Sequence, residues 1–347
     1  MARIKNVLAL GLRRLRNLLF FIYRWPIIVA ILIFKFDQFW FRFLLRPAWL
    51  HKPISVSIKS NPTNSDFVGF AYSTLFHDNS RYSVIRLTTR KSNSIHIEGV
   101  LVTVDRNLNG KLSSFWLENA EDPRLLLFND KVYIYIQVAR FQEGRVIDCD
   151  IYLVDVETKV HHKLIPPFSY SGKNWIPYDK NGSLFFIYSL QPLIVLKIPT
   201  KNLDVESIFL TQVFGPVVRE LAWGDELGFI GEIRGGTPFL QIDECNYLAF
   251  SHITPKGSRK TDHFMGALIY NSNDYLVRHL PITARRNARM FDPFGISIVD
   301  DTVQVDYSSS IFTPHWGKMP VASATVIFSK SELLRSVNDD GFELIFD

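Results

Sequence analysis

A chain of 347 residues, 47% hydrophobic and 14% aromatic with 28 phenylalanines, can bury a large core and is neither low-complexity nor fibrous. Its two cysteines, Cys149 and Cys245, are too few for a disulfide framework and read as free thiols in a reducing compartment. Net charge is +5, but nine of the 39 Lys/Arg and one of the 34 Asp/Glu fall in residues 1–50; the rest of the chain is −3, which excludes a nucleic-acid binder by charge.

In chain order, residues 18–34 come first: they are apolar except for Arg24, and Pro26 interrupts them. That length is at the short limit for a spanning helix. Residues 35–45 stay aromatic and cationic, unlike the region after a cleaved leader. Wound at about 100° per residue, Arg13, Asn17, Arg24, Lys35, Gln38, Arg42 and Arg46 gather on one face. This is the pattern of a helix lying in the membrane interface with its basic face toward anionic lipids. A tilted, re-entrant or spanning insertion fits the same residues, because Lys and Arg snorkel. Residues 1–50 are therefore predicted to attach to a membrane at its cytoplasmic face, with residues 47–53 as a linker to a second domain, 51–347.

Beyond the linker, short aromatic-rich runs replace helical periodicity, and only residues 330–335 predict a short helix. Five prolines recur, Pro62, Pro123, Pro177, Pro238 and Pro293, at intervals of 61, 54, 61 and 55 residues. Each precedes a turn and an apolar strand: residues 67–72, 132–136, 184–188, 247–250 and 303–307. Strand-only units at such a period mark a β-propeller. The prediction is all-β, with five blades.

In a propeller the residues just before each innermost strand ring one mouth of the central channel. Here they are Asn61, Glu121 with Asp122, Lys173 with Asn174 and Trp175, Arg234 to Thr237, and Asp292. A residue before proline is held extended, which predicts a fixed direction for Asn61, Asp122, Thr237 and Asp292. Acids, amides, a lysine and an arginine on one funnel suit a polyhydroxylated or phosphorylated ligand. Asp122 is the candidate for moving a proton to or from a sugar oxygen. Arg124 either orients that acid, binds substrate oxygens or forms a structural ion pair. Lys173 is a candidate phosphate contact, and Trp175 either carries a sugar ring or fills a blade interface. Arg234 offers a bidentate grip on phosphate; Gly235 and Gly236 either let backbone approach a ligand or make an interblade turn. His252, at the end of the following strand, can donate to a phosphate oxygen. Arg86 ends an apolar strand of the first blade and is placed to reach the mouth. Phosphate-binding glycine loops, dinucleotide fingerprints, zinc spacings and the Gly-x-Ser-x-Gly elbow are all missing from the sequence. Neither a metal nor a cofactor is predicted, and His161-His162 reads as a surface pair.

Taken together, Asn61-Pro62 before the first strand, the strand-end Arg86, Glu121-Asp122-Pro123-Arg124, Lys173-Asn174-Trp175 and Gly235-Gly236-Thr237-Pro238 with His252 resemble glycoside hydrolase family 130. That family holds β-mannoside phosphorylases and β-1,2-mannosidases on five-bladed propellers. Its sister group, glycosyltransferase family 108, contains β-1,2-mannosyltransferases. The resemblance spans residues 55–310 and is most specific at Glu121-Asp122-Pro123-Arg124. It implies that Asp122 is the catalytic aspartate and that Arg86, Arg124, Lys173 and His252 bind phosphate or sugar. Arg234 stands where the phosphorylases more often have a smaller residue, so its role rests on charge. Asp306-Tyr307-Ser308 departs from the family's Tyr-Gly then Asp pattern, and Glu220 and Glu232 lack the motif of the hydrolases' base residues. One acid serves phosphorolysis and, by microscopic reversibility, glycosyl transfer. The membrane segment favours the second. The expectation is an inverting glycosyltransferase that moves a hexosyl group, mannosyl by resemblance, from a nucleotide sugar or sugar phosphate to a surface glycan or glycolipid. A phosphorylase or glycosidase, or a non-catalytic carbohydrate-binding propeller, are the alternatives.

Overall fold

Alternating apolar and polar residues, with Asp-Asn, Asn-Asp and Asn-Gly pairs between the runs, build antiparallel hairpins. Asp78-Asn79, Asn129-Asp130 and Asn181-Gly182 all take the positive φ that tight hairpin turns require. The computed structural model describes residues 55–59, 67–89, 98–142, 145–168, 172–199, 203, 205–216, 232–254, 264–282, 288–311, 321–340 and 342–343. The predicted membrane segment, its linker, Asn61 and Glu220 lie outside the described residues. No helix among the described residues is long and apolar enough to cross a membrane.

Strand β1 (Ser55–Lys59) is set aside for the last blade. Blade one is β2 (Phe67–His77), β3 (Ser80–Thr89), β4 (Glu98–Asp105) and β5 (Leu112–Glu118). Blade two is β6 (Glu121–Phe128), β7 (Lys131–Gln142), β8 (Arg145–Asp155) and β9 (His161–Ile165). Blade three holds β10 (Ile176–Lys180), β11 (Ser183–Leu190) and β12 (Leu193–Lys197); β13 (Ser207–Phe209) crosses back to pair in parallel with β9, and β14 (Thr211–Phe214) completes blade three. Blade four has an inner strand in two pieces, β15 (Glu232–Gly235) and β16 (Leu240–Gln241), followed by β17 (Asn246–Thr254), β18 (Phe264–Asn271) and β19 (Leu276–Ile282). Blade five is β20 (Ala288–Val299), β21 (Thr302–Ile311) and β22 (Val321–Ser329), and β1 pairs antiparallel with β22 as its outer strand. The short helix of the sequence reading is α1 (Lys330–Asp340), and β23 (Phe342–Glu343) edges blade four. The result is the predicted five-bladed propeller, ring-closed by a strand from the N-terminal side.

The repeat is real, but three of its prolines sit one strand further in than the sequence suggested, and Pro62 lies outside the described residues. Pro123, Pro177 and Pro293 lie inside the innermost strands β6, β10 and β20, and the aromatic runs of blades two to five are second strands. Only in blade one is the aromatic run innermost. An innermost strand faces the channel along one edge, and a bulge relieves its ladder, so it tolerates a residue without an N–H. Register shifts occur beside Pro123 and Pro293.

Four blade interfaces are apolar. Val84, Val102, Leu125, Ile134 and Val154 pack blade one on blade two. Tyr135, Trp175, Phe186 and Leu196 pack blade two on blade three. Tyr178, Phe239, Tyr247 and Tyr270 form an aromatic cluster between blades three and four, with the Tyr178 and Tyr270 hydroxyls 3.2 Å apart. Phe250 and Phe328 stack between blades four and five at 5.8 Å. The fifth interface, where the ring closes, is polar at its centre. Asp306 of β21 accepts hydrogen bonds from the Thr74 amide and hydroxyl of β2 and from the Thr325 hydroxyl, and Ser308 Oγ accepts from the Ala71 amide at 2.7 Å.

Candidate active site

Asp122 opens β6. It does not take the extended conformation expected before proline: its φ is 46°, in a bulge where Glu121 opposes Gln137 and Arg124 opposes Tyr135. A non-glycine residue held there costs on the order of 1–3 kcal/mol, and such strain concentrates at functional sites. Its place is fixed by neighbours on two blades. Arg86 of β3 donates from Nη1 to Asp122 Oδ1 at 2.7 Å, and its Nη2 lies 3.2 Å from Glu121 Oε2. Gln137 of β7 donates from Nε2 to Asp122 Oδ2 at 2.8 Å. Both carboxylate oxygens are thus engaged, while the side chain keeps 18% of its surface exposed. Burial pushes the Asp122 carboxyl up, but the charges of Arg86, Lys173 and Arg124, with the Arg86 hydrogen bond, more than reverse that and hold it below the ordinary carboxylate range. At neutral pH it is an anion.

Four expected ligand contacts have structural work instead. Arg124 is 1% exposed and donates to the carbonyls of Trp175 (3.0 Å) and Gly235 (3.1 Å) and to Asn174 Oδ1 (3.0 Å). It pins blade two to blades three and four beneath the mouth, with Tyr135 under its guanidinium. Asn174, φ 65° and buried, takes that bond and receives a longer one from Gln137 at 3.4 Å, while its own amide donates to Gln137 Oε1. Trp175 is fully buried against Phe186 and Tyr188, so it fills the blade interface and offers no sugar platform. Thr237, also fully buried, accepts from the Phe250 amide and donates its own amide to the Phe250 carbonyl, extending the inner ladder between β15 and β16. The paired glycines serve blades, not a ligand. A Cβ on Gly235 would lie 2.1 Å from the Asn174 carbonyl oxygen, and one on Gly236 would lie 2.5 Å from Pro293 Cγ.

Lys173, Arg234 and His252 remain, and of these His252 is buried. Lys173 is half-buried and its charge acts on Asp122. Arg234 and His252 are directly paired across β15 and β17, so their side chains share a sheet face, next to the Gly235 carbonyl that holds Arg124. Asp292 of β20 is close enough for its charge to act on Arg124, which brings blade five to the same axis. Gln137 escaped the sequence reading. Its signal was available: like Arg86 in β3, it is a polar residue interrupting an apolar second strand. Also unforeseen, His77 Nε2, Asp78 and Asp130 meet within 4.8 Å at the far ends of β2 and β6, away from Asp122. His161-His162, read as surface, is divided: His162 is buried and its Nδ1 meets the Val205 carbonyl at 2.8 Å.

No family model matches the sequence, and no curated protein sequence does. Solved structures match in fold. The mannose phosphorylase MPT-4 of Leishmania mexicana, in complex with a phosphate ion, superimposes with a TM-score of 0.53 at 11% identity, covering 80% of this chain and 89% of that one. A candidate glycosidase from Bacteroides thetaiotaomicron does so with 0.51 at 10% identity, covering 82% and 94%. MPT-1, a GDP-Man-dependent mannosyltransferase from Leishmania mexicana, reaches 0.49 at 11% identity over 79% and 90%. The chain thus has the propeller fold that its motifs resembled.

Proposed function

We propose that this protein is a glycosyltransferase that uses Asp122 as the base of a single displacement. The observation that carries the reading is the Asp122 carboxylate, strained into the mouth, ionised by Arg86 and Lys173 and oriented by Gln137. A resting anion is ready to accept a proton, and it would have to be protonated first to act as an acid. In the transfer direction the acceptor hydroxyl oxygen attacks the anomeric carbon while its proton passes to Asp122. The bond from that carbon to the phosphate oxygen breaks, and the phosphate leaves with the electron pair. Lys173, Arg234 and His252 are the groups to stabilise its charge. One displacement inverts the anomeric centre. The donor is a nucleotide sugar or sugar phosphate, with mannose the first sugar to try. The acceptor is a surface glycan or glycolipid, met where residues 1–50 attach the chain to the cytoplasmic face of a membrane through anionic lipids. Those residues support the attachment by their one-sided basic pattern.

Phosphorolysis, the same displacement reversed, is the second reading, favoured by the fold shared with a phosphate-bound mannose phosphorylase. Detergent-purified full-length protein incubated with GDP-mannose, mannose 1-phosphate or β-mannoside plus orthophosphate separates them. Release of nucleotide or phosphate with growth of an acceptor supports transfer, and orthophosphate-dependent cleavage supports phosphorolysis. Asp122→Asn should lower either rate about 10²–10⁴-fold. An Asp122→Asn protein with wild-type turnover sinks both.

A further inference from the structure

We propose that Asp148, a buried carboxylate of β8, is a positioning residue that sets Lys173 in place for the anionic half of the substrate; this rests on the proposed site. Asp148 is 3% exposed and lies where β7 and β8 slip register. Its Oδ1 accepts from the Cys149 amide at 2.8 Å and from the Gly172 amide at 3.0 Å, and its Oδ2 pairs with Arg140. The Gly172 contact crosses from blade two to the turn that leads into blade three. Gly172 and Asn174 both have a φ of 65°, so Lys173 sits between two left-handed residues. Such a turn does not hold its shape by backbone preference alone: the left-handed region is free to Gly172 and only tolerated by Asn174. The structure fastens both ends. Asp148 holds the amide of Gly172, while Gln137 and Arg124 hold Asn174. Lys173 is therefore presented from a clamped tripeptide, with its flexible stem fixed at the backbone. The Gln137 that fastens one end is also the donor to Asp122. Proton acceptor and cation are thereby held in one frame, which runs from Asp148 through Gly172, Lys173 and Asn174 to Gln137 and Asp122.

Arg140 separates this role from a plain ion pair. It is 43% exposed, and its Nε also meets Asp150 at 3.3 Å, which Lys163 reaches at 3.1 Å. Losing Arg140 leaves both amide bonds to Asp148 Oδ1 in place. Losing the Asp148 carboxylate releases the Gly172 amide and, with it, the turn.

The test measures inorganic phosphate binding by calorimetry or NMR titration on full-length protein, alongside the pH profile of turnover. Asp148→Ala should weaken phosphate binding roughly tenfold to a hundredfold, the range for a misplaced site group, and move the acid limb of kcat/KM to higher pH as Lys173 retreats from Asp122. Asp148→Asn, whose amide oxygen still accepts both N–H groups, should restore most of the affinity, and Arg140→Ala should leave it unchanged. Wild-type phosphate affinity and an unmoved acid limb in a folded Asp148→Ala protein overturn the proposal, as does an equal loss in Arg140→Ala. Should Asp148→Ala not fold, Gly172→Ala displaces the same turn by forcing a side chain to φ 65°, and undiminished affinity there overturns it equally. Failure of the underlying reading looks different: wild-type protein that binds no phosphate, with Asp122→Asn fully active.

Discussion

Arg86 and Asp122 lie 36 positions apart on neighbouring blades, and their side chains meet at 2.7 Å. The contact joins the second strand of blade one to the strained start of blade two. The same guanidinium reaches Glu121, so one cation holds two adjacent acids. Removing one partner of so enclosed a pair leaves the other charge uncompensated. Arg86→Met should destabilise the fold by about 3 kcal/mol at pH 7. The sign with pH follows from the lowered Asp122 pKa: the wild-type carboxylate stabilises the fold above its unfolded pKa, and that contribution disappears as pH falls through the lower folded value. In the variant the carboxyl protonates at higher pH. Urea unfolding should therefore show a deficit that is widest near neutrality and narrows below about pH 4; a deficit that does not vary with pH would refute the charge account.

Gln137 offers a test of the second hold on Asp122. Gln137→Glu keeps the oxygen that accepts the Asn174 amide but replaces the donor to Asp122 with a like charge. A neighbouring carboxylate raises a carboxyl pKa by about one unit or more. The acid limb of turnover should move up by that amount, and because Gln137 is buried the thermal midpoint should fall as well. An acid limb identical to that of wild type would show that Gln137 does not act on Asp122.

Much of this was legible in the sequence. The proline period matched the blade count because Pro123, Pro177 and Pro293 each fall within an innermost strand and Pro238 lies between the two pieces of another. Asp122 and Lys173 stood out as charges just ahead of an apolar strand, and Arg86 as a charge ending one, because a charge in such a place is expensive without a purpose. The burial of Thr237 was not legible, and for Arg124 and Trp175 the sequence left the structural and ligand-binding roles open. Each sits in a motif with a half-buried charged residue, and only the ring's closure decides which side chains point between blades and which into the channel. The φ of Asp122 was equally hidden: the pre-proline rule predicts an extended residue, and the bulge overrides it.

Gly235 shows how narrow that interblade space is. Its hydrogen occupies the gap beside the Asn174 carbonyl, and its own carbonyl accepts from Arg124. Gly235→Ala must push blade three from blade four or break the Arg124 clamp. A loss of about 1–3 kcal/mol is expected for such overpacking, together with reduced turnover, because Arg124 also secures Asn174. Differential scanning calorimetry and an activity assay check the two effects. A stable, active alanine variant would mean that the interface gives way more easily than its contacts imply.

His279 of β19 predicts how the fold fails in acid. It is fully buried, its ring lies against Gly266, and its Nε2 meets Ser251 Oγ at 3.2 Å. Burial pushes its pKa down to about 3. The unfolded chain binds the proton near pH 6.5, so between those values the unfolded state carries more protons than the folded one. Stability is whole above pH 6.5 and falls with acid, with a limiting slope of about 1.4 kcal/mol per pH unit from this one group. His279→Gln removes the titration at a packing cost that does not vary with pH. Urea midpoints at pH 7, 6, 5 and 4 should therefore converge between variant and wild type as the pH drops. Parallel curves would mean that His279 already carries its proton in the fold, and that the ring of blade four has a solvent path the buried contacts do not reveal.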